Sequence, residues 1–310
     1  MIYLDVTGRC GNQLFQYAFA KKVSQLNNNQ PIFISFYNVK RWRDKTGDGS
    51  FDDQLQYLNV PTYESSQDLS DLVAKYGSPR QKKALKNHLT WRKIAKKSKI
   101  KGIYKLALRR LNRLGIYIED ECKINQPQKN KCENIFIKGY FEDTRYFDDI
   151  REELLELFTP TAPRKQKNAA LYDIIDNTES VCVSFRVWNE VSGDLLQERS
   201  VCDKDYYEKA IEEMHRLHPN AVFVVFSNDI KFVKENFDFK YTAYFEDGDD
   251  EVYEKLRLMY SCKHFIMSTS TFCWWAQYLS KNEQKTVISP TRWTNGKNES
   301  ELLLDEWIKI

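Results

Sequence analysis

The chain has 310 residues, 42% of them hydrophobic and 29% charged, which is enough for two globular domains and too apolar for a disordered polymer. Its 47 Lys and Arg against 44 Asp and Glu leave a net charge of only +3, which does not mark a nucleic-acid binder. That balance conceals an asymmetry: residues 81–118 hold thirteen Lys or Arg and no Asp or Glu, so the other 272 residues carry −10, the +3 total less those thirteen.

In chain order, residues 2–6 alternate apolar and polar positions and predict a strand. A glycine turn follows, Thr7-Gly8-Arg9-Cys10-Gly11, and then a helix with Leu14, Phe15, Ala18 and Val23 on one face. Gln30-Pro31 breaks that helix and residues 32–36 predict a second strand, the opening of a parallel α/β sheet. Residues 37–80 read as irregular and polar. The basic segment predicts a helical insertion over about 81–118, with Ile103, Leu106, Leu111 and Leu114 on one side, Arg109, Arg110 and Arg113 on the other, and Gly115 as its stop. A strand over 134–140 and a helix over 148–158 close the first half. Thr159-Pro-Thr-Ala-Pro163 is the linker signal, so the domains are expected at 1–160 and 161–310. The second half repeats the rhythm, with strands over 180–185, 221–226, 241–245, 264–267 and 287–290 and helices between them, which predicts a doubly wound sheet.

No run of about 18 apolar residues predicts a membrane-crossing helix, and residues 1–6 lack the basic and apolar regions of a signal peptide. The seven cysteines are scattered with no Cys-x-x-Cys pair, which points to reduced thiols in a cytoplasmic protein rather than disulfides or structural zinc.

In open α/β sheets, ligands bind beyond the carboxyl ends of the strands, and the loops there hold the candidate chemistry. Ser268, Thr269, Ser270 and Thr271, ahead of a helix beginning Phe272-Cys-Trp-Trp, offer hydroxyls and helix-start N–H groups to a phosphate, or a plain N-cap. Arg186, at the end of a buried strand, suits a diphosphate clamp or a structural ion pair. Gly8 and Gly11 let a ligand approach the backbone, but Gly-x-x-Gly is not the dinucleotide fingerprint. Asp247-Gly-Asp249 resembles a metal-binding pair, yet no further ligand spacing supports it, so no metal is expected and the acidic loop 246–251 reads as solvated.

Taken together, Gly11-Asn-Gln-Leu-Phe-Gln-Tyr-Ala-Phe-Ala20, Gly139-Tyr-Phe, Phe226-Ser-Asn-Asp229, Asp250 to Met259, Ser268-Thr-Ser-Thr-Phe-Cys-Trp-Trp275 and Val287-Ile-Ser-Pro-Thr-Arg-Trp293 resemble the α-1,2-fucosyltransferases of glycosyltransferase family 11 in that family's order. The resemblance implies an α/β fold of two facing Rossmann-like domains, GT-B. It implies inverting transfer of L-fucose from GDP-β-L-fucose to the 2-hydroxyl of a galactoside, with no obligatory metal or other cofactor. On this reading the nucleotide sugar is held by Gly11, Arg186, Ser227, Asn228, Asp229, Ser268, Thr269, Ser270, Thr271 and Phe272, and the glycan acceptor enters from the N-terminal side. Where the family usually carries His-x-Arg-Arg-Gly-Asp, this chain has Ser184-Phe-Arg-Val-Trp-Asn189. Arg186 keeps the clamp, but Asn189 is no base. Glu190 or Asp194 could substitute, or the base lies elsewhere in the chain, and Asn12 is a candidate for orienting the nucleophile.

Two alternatives remain at this level: an inverting GT-B enzyme for another nucleotide sugar, and a catalytically inactive sugar-binding relative. The absence of a signal anchor points to a bacterial cytoplasmic enzyme of surface-polysaccharide synthesis. The basic segment is either a solvated insertion or a peripheral contact with an anionic inner-membrane surface; nucleic acid is not expected there.

Overall fold

The structure, a computed structural model, describes residues 1–61, 67–98, 101–119, 126–188, 191–296 and 300–310, without the side chains of 91, 93–98 and 101–105. The chain divides into two compact units, Met1–Phe158 and Thr159–Ile310.

The N-terminal unit runs β1 (Ile2–Asp5), α1 (Cys10–Leu26), β2 (Ile32–Ser35), α2 (Tyr37–Thr46), α3 (Leu69–Tyr76), α4 (Pro79–Ser98), α5 (Lys101–Arg113), β3 (Ile116–Ile118), β4 (Ile135–Lys138) and α6 (Arg151–Leu157). Its four strands pair in parallel in the order β2-β1-β4-β3. All four residues of β1 are buried, as a central strand covered on both faces requires. Asp5, buried at the end of β1, accepts from Asn38 Nδ2 (2.7 Å), Leu69 N (3.0 Å) and Lys138 Nζ (2.5 Å), so one carboxylate ties together β1, β4 and the starts of α2 and α3.

Two expectations for this unit are corrected. Residues 37–80 contain α2 and α3, which alternation and helical stripes did not reveal because α2 buries only Val39 and α3 has just two turns. The basic stretch is helical over α4 and α5 as expected, but it is not wholly solvated. Its last residues are the edge strand β3, and Leu85, Leu108 and Leu111 join Leu69, Leu72, Val73 and Phe136 in the core. Gln81 Nε2 donates to the carbonyls of Leu114 and Asn134, both at 2.8 Å. The inward face of α5 is Leu108, Leu111 and Asn112; Leu106, expected on that face, points outward with Arg109, Arg110 and Arg113. Gly115, at φ +69°, makes the turn from α5 into β3.

The C-terminal unit runs α7 (Ala169–Asn177), β5 (Glu179–Phe185), α8 (Gly193–Arg199), α9 (Lys204–Leu217), β6 (Ala221–Ser227), α10 (Ile230–Asn236), β7 (Ala243–Phe245), α11 (Val252–Ser261), β8 (His264–Ile266), α12 (Thr271–Leu279), β9 (Val287–Ser289) and β10 (Ile308–Lys309). All six strands are parallel, in the order β10-β9-β8-β5-β6-β7. From β5 the chain builds outward through β6 and β7, then returns to the other side of β5 for β8, β9 and β10. The direction of winding therefore reverses between β5 and β8, which opens a crevice at their carboxyl ends. In the N-terminal unit the reversal falls between β1 and β4.

Candidate functional site

At the N-terminal reversal point, the glycine turn is held by two buried glutamines. Gln16 accepts from Thr7 N (2.9 Å) and donates to Thr7 O (2.8 Å). Gln13 donates to the carbonyls of Gly8 (3.1 Å) and Asp52 (2.7 Å) and accepts from Gln54 N (3.0 Å). Gly8 sits at φ +81°, and a Cβ there would lie 2.6 Å from the Asn12 amide nitrogen, so the bare glycine makes room for Asn12. Asn12 is half-buried in the first turn of α1, and Gly11 is buried beside it. The run after Gly11 thus holds two buried glutamine clamps, Gln13 and Gln16, beside the half-buried Asn12.

After β4, Gly139 (φ +156°) passes against Glu119, where a Cβ would meet backbone at 2.7 Å. Glu119 accepts from Phe141 N and from the Tyr146 hydroxyl, both at 2.9 Å, and Phe141 stacks on Phe19 at 4.0 Å. This turn leaves Tyr140 exposed at the strand end, a residue visible in the Gly139-Tyr-Phe motif but not singled out from sequence.

At the C-terminal reversal point, α9 fixes both strand ends. The Tyr207 hydroxyl donates to Ser184 O (2.9 Å) on β5, and the Tyr206 hydroxyl donates to Met267 O (2.6 Å) after β8. Burial pushes both phenols well above their ordinary values, so they stay neutral donors. Ser184, which stands where the family carries His, lies 3.0 Å hydroxyl to hydroxyl from Ser268 and ties β5 to the turn after β8.

Beyond Phe185, the Arg186 guanidinium lies 4.3 Å from the Trp188 ring centroid, and the Arg199 guanidinium approaches the same ring at 5.7 Å. Between them, Val187 is gripped by Asn228: Val187 N donates to Asn228 Oδ1 and Asn228 Nδ2 donates to Val187 O, each at 2.9 Å. Ser227 Oγ accepts from Asp229 N, and Asp229 caps α10 by accepting from Phe232 N, both at 3.0 Å. Of the Ser227-Asn228-Asp229 triplet, expected on the donor, Asn228 therefore shapes the loop carrying Arg186, while Ser227 and Asp229 order their own turn and the start of α10. Of the hydroxyl turn, Ser268 and Thr269 are buried, whereas Ser270, Thr271 and Phe272 are half-buried at the start of α12. Ser270 occupies the cap position without a side-chain cap bond, which leaves that helix end suited to an anion. Arg186, Ser270 and Thr271 thus stand on the two loops that flank the reversal point. Glu190 and Asn189 lie outside the described residues, and Asp194 is exposed in the first turn of α8.

The acidic loop is less solvated than its composition suggests. Glu246, 1% exposed at the end of β7, has its carboxylate 3.1 Å from Lys255 Nζ, and neither carboxylate oxygen makes a hydrogen bond among the described residues. Asp250 is buried against Asn168 Nδ2 (2.9 Å) and Lys167 Nζ (3.0 Å). Asp249 pairs with Lys167 at 2.6 Å, so of Asp247-Gly-Asp249 the second carboxylate has an ion-pair role. Glu179, His218 and His264 cluster at the amino ends of β5 and β8, away from these loops. His264 Nδ1 accepts from Thr286 N (2.9 Å), so its proton sits on Nε2, 2.5 Å from Glu179 Oε1, and that nitrogen has no lone pair for a metal. Among the described residues no helix is long and apolar enough to cross a membrane.

Comparison with known proteins places these features. The model of the family described as Glycosyl transferase family 11 matches residues 82–310, which includes the basic segment and the whole C-terminal unit. The Escherichia coli O-antigen biosynthesis glycosyltransferase WbnK is 29% identical over 198 residues, covering 62% of this chain and 64% of its own. An E. coli alpha-1,2-colitosyltransferase is 31% identical over 195 residues, covering 61% and 66%. The chain therefore spans just under two thirds of the length of these relatives. Human galactoside alpha-(1,2)-fucosyltransferase 1 is 34% identical over 83 residues, covering 26% of this chain and 23% of its own. Among solved structures, NodZ alpha-1,6-fucosyltransferase soaked with GDP-fucose covers 90% of this chain and 91% of its own, with a TM-score of 0.50 at 12% identity. That likeness is one of fold, and the fold is α/β of the GT-B class.

Proposed function

Because the chain belongs to glycosyl transferase family 11, we propose that it transfers L-fucose from GDP-β-L-fucose to the 2-hydroxyl of a galactoside, with inversion, in bacterial surface-polysaccharide synthesis. The observation that supports this reading is that Arg186 follows β5 and α12 starts just after β8, on the two loops flanking the β5–β8 reversal point. In the reaction, the acceptor oxygen bonds to the anomeric carbon, the bond from that carbon to the β-phosphate oxygen breaks, and GDP leaves with the electron pair. Negative charge grows on the diphosphate, and a guanidinium with helix-start N–H groups stabilises it without moving. Asn12 orients the acceptor hydroxyl. Its proton passes to a carboxylate, for which Glu190 is the candidate, since the amide of Asn189 cannot take it.

A related donor is the second reading. The relative at 31% identity is an alpha-1,2-colitosyltransferase, and Ser184 and Val187 replace family residues beside Arg186. Incubation with GDP-fucose and a β-galactoside should release GDP, and Arg186→Ala should abolish most of it. GDP release from a different nucleotide sugar alone would select the second reading. No release with any donor–acceptor pair, together with no thermal shift with GDP, would sink both.

A further inference from the structure

The basic stretch is unlike the other exposed helices of this chain. On α9 and α10, lysines stand one turn from acidic partners, as in Lys204–Glu208, Lys209–Asp205 and Lys231–Glu235. On α4 and α5, Lys82, Lys83, Lys86, Arg109, Arg110 and Arg113 are all exposed, and none is paired with a carboxylate among the described residues. No Asp or Glu exists between 81 and 118 to pair with them. A face evolved only for solubility interleaves both signs; this one carries a single sign.

The same two helices expose aliphatic side chains. Leu89 is 40% exposed on α4, and Leu106, on α5 one turn before Arg109 and Arg110, is 67% exposed. Between α3 and α4 runs a groove of about 380 Å³, with Val73, Ala74, Leu85 and Leu89 as its apolar lining and Lys82 and Lys86 as its cationic part. Cations beside exposed leucine, with an apolar groove between, match a surface that is anionic outside and hydrocarbon beneath. A nucleic-acid backbone would satisfy the lysines and arginines but offers leucine nothing.

We propose that this face of the N-terminal unit docks on an anionic phospholipid bilayer. The six basic side chains meet headgroup phosphates, Leu89 and Leu106 enter the interface, and the α3–α4 groove accommodates part of an acyl chain. Each basic residue near such a surface contributes about 1 kcal/mol, or about fivefold in affinity, and the attraction fades within a Debye length of about 10 Å at 0.1 M salt.

The test is sedimentation of the full chain with vesicles of phosphatidylcholine alone or mixed equally with phosphatidylglycerol. Binding should require phosphatidylglycerol and weaken at 0.5 M salt. The combined variants Lys82→Gln, Lys83→Gln, Lys86→Gln and Arg109→Gln, Arg110→Gln, Arg113→Gln should each lose about 100-fold. Leu106→Ser should weaken binding while leaving its salt dependence intact. All these positions are exposed, so the melting temperature and GDP release on a soluble galactoside should stay at wild-type values; a failure to dock is thereby separate from a failure of the transferase reading. No binding to the mixed vesicles, undiminished binding by both triple variants, or tighter capture by polyuridylate RNA than by vesicles at equal salt would each overturn the proposal.

Discussion

Removing the Asn228 side chain tests whether the loop after β5 is shaped or merely decorated. Asn228 makes two hydrogen bonds to the backbone of Val187, between Arg186 and Trp188. Each contributes about 0.5–1 kcal/mol at this exposed position, where water competes, so Asn228→Ala should loosen the loop by about 1–2 kcal/mol. If that order is what aims Arg186 at the diphosphate, GDP affinity should fall about 5- to 30-fold with little change in melting temperature. Arg186→Ala removes a charge-assisted contact and should weaken GDP by about 2–3 kcal/mol, or 30- to 150-fold. The double variant should be scarcely worse than Arg186→Ala alone, because a loop without its guanidinium gains nothing from being held. Calorimetric GDP titration of all four proteins gives the coupling energy, expected near the full Asn228 effect. Additivity within about 0.5 kcal/mol would refute the reasoning and mean that Asn228 acts on the nucleotide independently.

Three further outcomes follow from packing and charge. Gln16→Ala leaves the half-buried backbone groups of Thr7 without their side-chain partner and should destabilise the N-terminal unit by about 1–3 kcal/mol in urea unfolding, whereas an exposed-site change such as Gln25→Ala should not. Arg257 donates to the carbonyls of Ala162 (2.5 Å) and Pro163 (2.7 Å) and pairs with buried Glu254, so Arg257→Met should cost about 3–5 kcal/mol and expose the 159–163 segment to proteolysis. For pH, the hydrogen bond from His264 holds the Glu179 carboxyl below its ordinary value, and burial, with the neighbouring His264, lowers His218. Both groups bind protons more readily when unfolded, so their contribution is complete above about pH 6.5. That of His218 declines as pH falls below about 6.5, and that of Glu179 as pH falls through 4.5 and below. Melting temperatures across pH 4–8 should show this acid-side loss and should show less of it in Glu179→Gln.

Much of the architecture was legible in the chain. The inner strands of the C-terminal unit, β5, β6, β8 and β9, are short apolar runs that the linear pattern marks directly, because a parallel strand buried on both faces has no polar alternation. The loops that bear Arg186 and Ser270 were found by the same reading, since chemistry collects where such strands end. Other elements escaped it. The edge strands β3 and β10 have three and two residues, too few to show a period, and become strands only because β4 and β9 lie alongside. On α5 the expected stripe was right at Leu111 and wrong at Leu106, whose place in the core is taken by Leu108, because the sheet selects which side of the helix turns inward.

The same division holds for function. Composition and motif order alone determined the α/β class, two units, the basic segment and kinship to a sugar-transferring family, since each depends on residue types along the chain. Which polar residues remain available to a ligand was decided only by tertiary structure. Gln13, Gln16, Asn228 and Ser268 look no different in sequence from Ser270, but the first three bind backbone and Ser268 meets the Ser184 hydroxyl, whereas the Ser270 side chain makes no cap bond. A hydrogen-bonding group is committed by the neighbour the fold brings to it, and that neighbour is not written at any fixed spacing.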